Sequence, residues 1–246
     1  MKTKILIKVA LGLALPSLVS LAGAAGGIAN SAHDWALESW NVNRDLCGPC
    51  HMAHGSDPAN QLIPLWSHET QNAAFTPFVS PHGTTINNPD GASRACLSCH
   101  DGTIAYNQLK GQVPPGQAAL FVQGDYVIGG GAAHDLRGDH PISFSYREAV
   151  SKSPTNTLKL EAEVLATTLP PGNNLQGQTV DTAFLKKGNM QCTSCHDVHR
   201  SIGDSGVRSD KPINAAQHNP LLVVYNGVSP SQDGYGSGLC RSCHNK

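Results

Sequence analysis

Hydrophobic residues fall along this chain in short, interrupted runs. The N-terminus differs: Lys2, Lys4 and Lys8 precede an apolar stretch from Val9 to Leu21, and the small residues Ala22-Gly23-Ala24 follow it. That order predicts a secretory signal over residues 1–24, removed near Ala24 with Ala25 as second choice. The stretch is too short and too weakly flanked for a membrane anchor, and no later run approaches the length of a span. Further on, helical periodicity predicts one longer helix from about Tyr146 to Ala166, interrupted at Ser153-Pro154. Short strands are predicted around Ala119 to Ile128 and Leu221 to Tyr225. Pro58, Pro64, Pro77, Pro81, Pro89, Pro114-Pro115 and Gly129-Gly130-Gly131 punctuate the remainder too often for long elements. The three glycines read as a flexible turn and not a phosphate loop, because no strand-to-helix context or following Lys-Ser/Thr accompanies them.

Composition narrows this picture. Aromatic residues are 5% of the chain, with Gly 25 and Pro 16 of 246 residues. A chain so poor in aromatics and rich in turn formers cannot build a large core from regular elements, so something else must fill its interior. The net charge of −1, without a basic stripe, argues against nucleic acid as a partner.

The filler is suggested by four copies of one motif: Cys47-Gly-Pro-Cys50-His51, Cys96-Leu-Ser-Cys99-His100, Cys192-Thr-Ser-Cys195-His196 and Cys240-Arg-Ser-Cys243-His244. Residues i, i+3 and i+4 share one face of a short helical turn. Two thiols can then bond to a porphyrin edge while the histidine holds the iron, which is c-type haem attachment. The alternative is zinc ribbons or disulfides built from the eight cysteines. It leaves the fifth residue unexplained: histidine is 12 of 246 residues, yet follows every pair. Four haems leave roughly 55 residues to wrap each one, and the haem-free chain is expected to be largely unfolded. The predicted fold class is a multihaem cytochrome c, mostly irregular coil with short helices wrapped around four haems and little sheet.

The first cysteines, at 47, 96, 192 and 240, fit a repeat of about 48 residues with one position vacant. The vacancy falls near His140-Pro141-Ile142-Ser143-Phe144. Residues 25–246 are therefore read as one tetrahaem domain of two dihaem halves, about 31–110 and 186–246, joined by a haem-free middle segment.

Function turns on the second axial ligand, because a doubly ligated iron carries electrons while an open one binds substrate. Beyond the proximal His51, His100, His196 and His244, the chain offers His33, His54, His68, His82, His134, His140, His199 and His218. Met52 and Met190 lie beside attachment motifs and cannot reach the far side of the same ring. All four irons are expected to be bis-histidine, with low reduction potentials. His54 and His199 each lie three residues beyond a proximal histidine. That span, at most about 10 Å, cannot pass round a porphyrin, so each should ligate a neighbouring haem. Trp35, Trp40 and Trp66 are read as packing against haem faces. Asp101 and Asp197 either hydrogen-bond to ligands or cap local turns.

Taken together, Ser31-Ala32-His33-Asp34, Cys47-Gly-Pro-Cys-His-Met-Ala-His54, Pro64-Leu65-Trp66-Ser67-His68, Cys96-Leu-Ser-Cys-His-Asp-Gly-Thr103, Asp139-His140-Pro141-Ile142, Cys192-Thr-Ser-Cys-His-Asp-Val-His199 and Leu239-Cys-Arg-Ser-Cys-His-Asn-Lys246 resemble paired-CxxCH multihaem cytochromes. The resemblance is closest to extracellular tetrahaem cytochromes of the outer-membrane cytochrome E type, some of which form conductive filaments. It covers about Ser31 to Lys246, while the middle from Lys152 to Leu185 matches no known motif. It implies His54, His68, His140 and His199 as distal ligands. His33 is a fifth candidate, one that could cross to a neighbouring subunit. It further implies an exported, extracellular electron-transfer protein with no catalytic residue. Its partners would be further copies joined head to tail, other redox cytochromes or extracellular electron acceptors. His82, His134 and His218 match none of these motifs and are read as solvated loop residues. Two other functions remain open: a periplasmic electron shuttle or reductase subunit, and a multihaem reductase. The second needs an open iron position, against which the surplus of histidines speaks.

Overall fold

The structure is a computed structural model that describes residues 28, 31–54, 63–70, 72–165, 177–199, 223 and 238–245. The predicted signal, His218 and the predicted strand at 221–225, apart from Val223, lie outside these residues. Among the described residues, irregular chain predominates, with few short helices and little sheet. No described helix is long and apolar enough to cross a membrane.

The longest described helix, α1 (Gly91–His100), carries the second Cys-x-x-Cys-His and buries Ser93, Ala95, Leu97, Ser98 and Cys99. Its small residues let it pack closely. It stops where the Asp101 N–H returns to Leu97 O and Gly102, at φ +74, donates to Cys99 O. A left-handed residue just past the last turn is the usual glycine helix stop.

Helix α2 (Tyr146–Lys152) starts at Ser145, whose side chain accepts from Glu148 N–H. The helix predicted from Tyr146 to Ala166 is thus shorter than expected. Ser153 precedes Pro154 and adopts an extended ψ of 153, because the proline ring excludes the helical conformation from the residue before it. The apolar positions beyond continue as irregular chain: Leu158 bridges to His244 and Leu165 N–H donates to Gln178 O. Nor is there a strand at 119–128. Gly124–Tyr126 forms a 3-10 turn, and only isolated bonds hold the segment, among them Tyr106 N–H to Leu120 O and Ile128 N–H to His100 O.

Helix α3 (Val180–Phe184) is capped reciprocally by Thr179 and Thr182. One turn, α4 (Cys192–Cys195), carries the third motif, and α5 (Gly238–Arg241) the start of the fourth. Among the described residues one sheet pairs β1 (Phe144–Ser145) with β2 (Asn189–Met190), antiparallel, placing Phe144 opposite Met190.

The main apolar cluster lies beneath this pair. Phe144, Tyr146, Ala149, Leu165, Val180, Ala183, Phe184, Leu185, Met190 and Val223 are buried together, with Leu239 and Cys243 packed against them. Most of these residues come from the middle segment, which therefore packs against the third and fourth motifs. A smaller cluster of Phe75, Leu97 and Leu136 lies beside α1. The three-glycine turn shapes its edge: Gly129, Gly130 and Gly131 all have φ between +65 and +71. A side chain at Gly129 would also meet Leu136 at 3.1 Å.

Candidate functional site

Each described motif presents its histidine from a turn closed by the N–H of that histidine. His51 N–H donates to Cys47 O at 2.8 Å, His196 to Cys192 O at 3.0 Å and His244 to Cys240 O at 2.8 Å. Two of these motif rings are oriented by main-chain carbonyls. His51 Nδ1 lies 2.8 Å from Pro64 O and His100 Nδ1 lies 3.0 Å from Tyr126 O. A proton on Nδ1 leaves Nε2 with its lone pair outward, the tautomer a metal ligand needs. His140 is held in the same way, with Nδ1 3.0 Å from Pro141 O.

Three of the motif histidines lie beside three of the other candidate histidines. His33 and His100 have ring centres 6.0 Å apart, His51 and His199 6.1 Å, and His140 and His244 6.5 Å. His33 also lies close to His196, and burial together with His100 and His196 pushes its pKa down to about 4. His199 faces the motif of the other half and not its own. His54 is exposed. His68 is 2% exposed, with the main chain of Gln108 and Pro49 beside its ring. Burial lowers its pKa. Among the described residues, no three His, Cys, Asp or Glu side chains gather into a set that could hold a metal ion.

None of the eight cysteines is in a disulfide. Burial pushes the Cys50 and Cys243 thiols up to about 11, and Cys99 and Cys195 up to about 12. The Cys96 thiol hydrogen-bonds to Cys192, which raises Cys96 and lowers Cys192. Motifs two and three therefore meet at their first cysteines.

The aromatic residues line these rings. Trp66 sits between His51, at 6.4 Å, and His68, at 5.4 Å. Trp35 lies 5.9 Å from His33 and stacks on Tyr106 at 5.5 Å, with Trp40 beside both. Beside His140 is a small apolar cleft lined by Pro77, Phe78, Ile86, Leu136, Pro141 and Ile142.

Asp101 and Asp197 both close local turns, one of the two roles expected of them. Asp101 is fully buried and accepts from Thr103 N–H and Oγ1 at 2.8 and 2.7 Å. Its other oxygen lies 3.3 Å from His134 Nε2. His134, expected in solvent, instead packs edge-on against Phe75 at 4.8 Å, with 16% of its side chain exposed. Asp197 accepts from His199 N–H at 2.9 Å. His82 is exposed, as its unmatched motif suggested.

Compared with known proteins, the chain matches no family model and no curated protein.

Proposed function

We propose that this chain is an exported tetrahaem c-type cytochrome that transfers electrons and carries out no chemical step on a substrate. The observation that carries the reading is the set of three ring pairs, each joining a Cys-x-x-Cys-His histidine to a candidate distal histidine at 6.0 to 6.5 Å. Two imidazoles bound through nitrogen to one metal, with bonds of about 2 Å, have ring centres about 6.3 Å apart. The residues present fit the group in two further respects. Thioether sulfurs carry no titrating proton, so burial of the cysteines opposes nothing. Tetrahedral zinc would need its ligands in fours, and no such gathering occurs among the described residues.

In this reading Cys47, Cys50, Cys96, Cys99, Cys192, Cys195, Cys240 and Cys243 hold the groups, and His51, His100, His196 and His244 are proximal ligands. His199, His33 and His140 are distal ligands opposite His51, His100 and His244, leaving His54 and His68 for the fourth centre. Haem bound there supplies a reversible one-electron couple. The histidines named would ligate the iron, and the main-chain bonds at Pro64, Tyr126 and Pro141 would hold His51, His100 and His140 so that little rearranged on electron exchange. Intact mass and haem staining of the secreted protein test this directly. Four haems on the mature chain are expected, and fewer than four would overturn it. Fast carbon monoxide binding at one reduced haem would instead favour a reductase.

The extracellular location, and assembly of copies into a conducting filament as in the cytochromes it resembles, belong to the same proposal. A second reading, a self-contained electron shuttle, is favoured by the placement of His33 opposite His100 of its own chain. Electron microscopy of the haem-loaded secreted protein separates the two: filaments with continuous haem density against discrete particles.

A further inference from the structure

The second and third motifs come from opposite halves of the chain, yet a buried polar network joins their supporting turns. Gln191, immediately before Cys192, is 5% exposed, and Ser93, three residues before Cys96, is fully buried. Gln191 Oε1 accepts from Ser93 N–H at 3.1 Å and from Ser93 Oγ at 2.6 Å. Its Nε2 donates to Asp90 Oδ1 at 2.7 Å. The Cys192 N–H donates to Ser93 Oγ at 2.9 Å, and Gln191 N–H to Ser194 Oγ at 2.9 Å. Gly91 opens α1 beside this amide, and its φ of +50 is the left-handed conformation that favours glycine.

We propose that Gln191 and Ser93 are positioning residues that fix the separation and orientation of the two haems attached at Cys96/Cys99 and Cys192/Cys195. The inference rests on the tetrahaem reading. Apolar contacts between α1 and α4 would tolerate sliding, whereas directional bonds to both first turns set one register. A fully satisfied buried network is rigid, and its loss leaves a polar group stranded. The register brings Cys96 within hydrogen-bond reach of Cys192. Groups bonded to those sulfurs would approach one another here, where electronic coupling would depend steeply on separation. The network would thus set the joint between the two halves of the molecule.

The test compares Ser93→Ala and Gln191→Leu with Met190→Leu, a control in the neighbouring apolar cluster. Intact mass gives the haem count, and Soret circular dichroism gives the exciton coupling between haems. Ser93→Ala, the milder change, is expected to retain four low-spin haems, lose a large part of the exciton couplet, and slow electron exchange between halves about tenfold. Gln191→Leu is expected to go further in the same direction. Met190→Leu should lower stability and leave the couplet intact. A Ser93→Ala protein with four haems and an unchanged couplet overturns the proposal. A wild-type protein without haem would overturn the tetrahaem reading itself, so the two failures are distinguishable. Loss of haem only at the Cys192 site in Ser93→Ala would show that the network serves folding and not positioning, and would also overturn it.

Discussion

A histidine that binds metal through Nε2 must place the proton of Nδ1, and His51, His100 and His140 each place it on a main-chain carbonyl. These acceptors, Pro64, Tyr126 and Pro141, carry no signature in sequence, because any residue has a carbonyl and only the turn aims it. The residues in these ring pairs stand out in the sequence: the four motif histidines by spacing, His199 by its place three residues beyond one of them, and His33 and His140 by neighbouring residues that resemble those of multihaem cytochromes. Which ring faces which was not legible, since every facing pair joins distant stretches of chain. The pairing yields a residue-level prediction. Replacing His140 by Ala should leave four haems attached by mass while one of the four turns high-spin, seen by electron paramagnetic resonance and by carbon monoxide binding to about a quarter of the reduced haem. An entirely low-spin variant would remove His140 from the ligand set. Replacing exposed His82 should change neither signal.

At the scale of elements, α2 is tied to the segment before α1 through one carboxylate. Glu148 accepts from Lys152 Nζ at 2.6 Å and from Thr85 N–H and Oγ1 at 3.1 and 3.0 Å. These hydrogen bonds hold its pKa at about 2, below its ordinary 4.5. A depressed carboxyl stabilises the fold fully above the ordinary value and loses that contribution as pH falls through the depressed one. Glu148→Gln should therefore melt at lower temperature than wild type at pH 7, with the gap closing between pH 4.5 and about 2. The group is at the surface, so the gap at pH 7 should also shrink with added salt. Deeper in, Phe184→Ala removes a ring that is 1% exposed. It should cost about 3 to 5 kcal/mol in denaturant unfolding. The elements themselves were only partly readable. The helix starting at Tyr146 was visible in its apolar spacing, but spacing alone did not reveal that the proline after Ser153 ends it instead of kinking it. Phe121, Val122, Tyr126, Val127 and Ile128 have strand-forming side chains. A strand also needs a partner edge, and around Gly124 none is offered. The Gln191 network could not be read at all, because a glutamine before a cysteine resembles any other.

At the scale of the whole molecule, the scarcity of aromatics led to the expectation of a modest interior. Among the described residues there are two apolar clusters, and the sheet pairs strands two residues long. Replacing all eight cysteines by Ala should accordingly give a chain without a cooperative thermal transition by circular dichroism, since the attached groups would be missing from the interior. A native-like melt would show that the clusters suffice. The ring pairs have a further consequence for how such a protein comes into being. If it is exported from its N-terminus, His51 emerges long before His199, with more than half the chain between them, and His244 emerges well after His140. On the tetrahaem reading, a haem fixed early at Cys47 and Cys50 would wait for its proper partner, and any histidine already outside could occupy the vacancy meanwhile. Misligation would then be the natural kinetic trap of this topology. Its escape depends on exchange of one imidazole for another, so free imidazole at millimolar concentration should speed recovery of the native spectrum after unfolding.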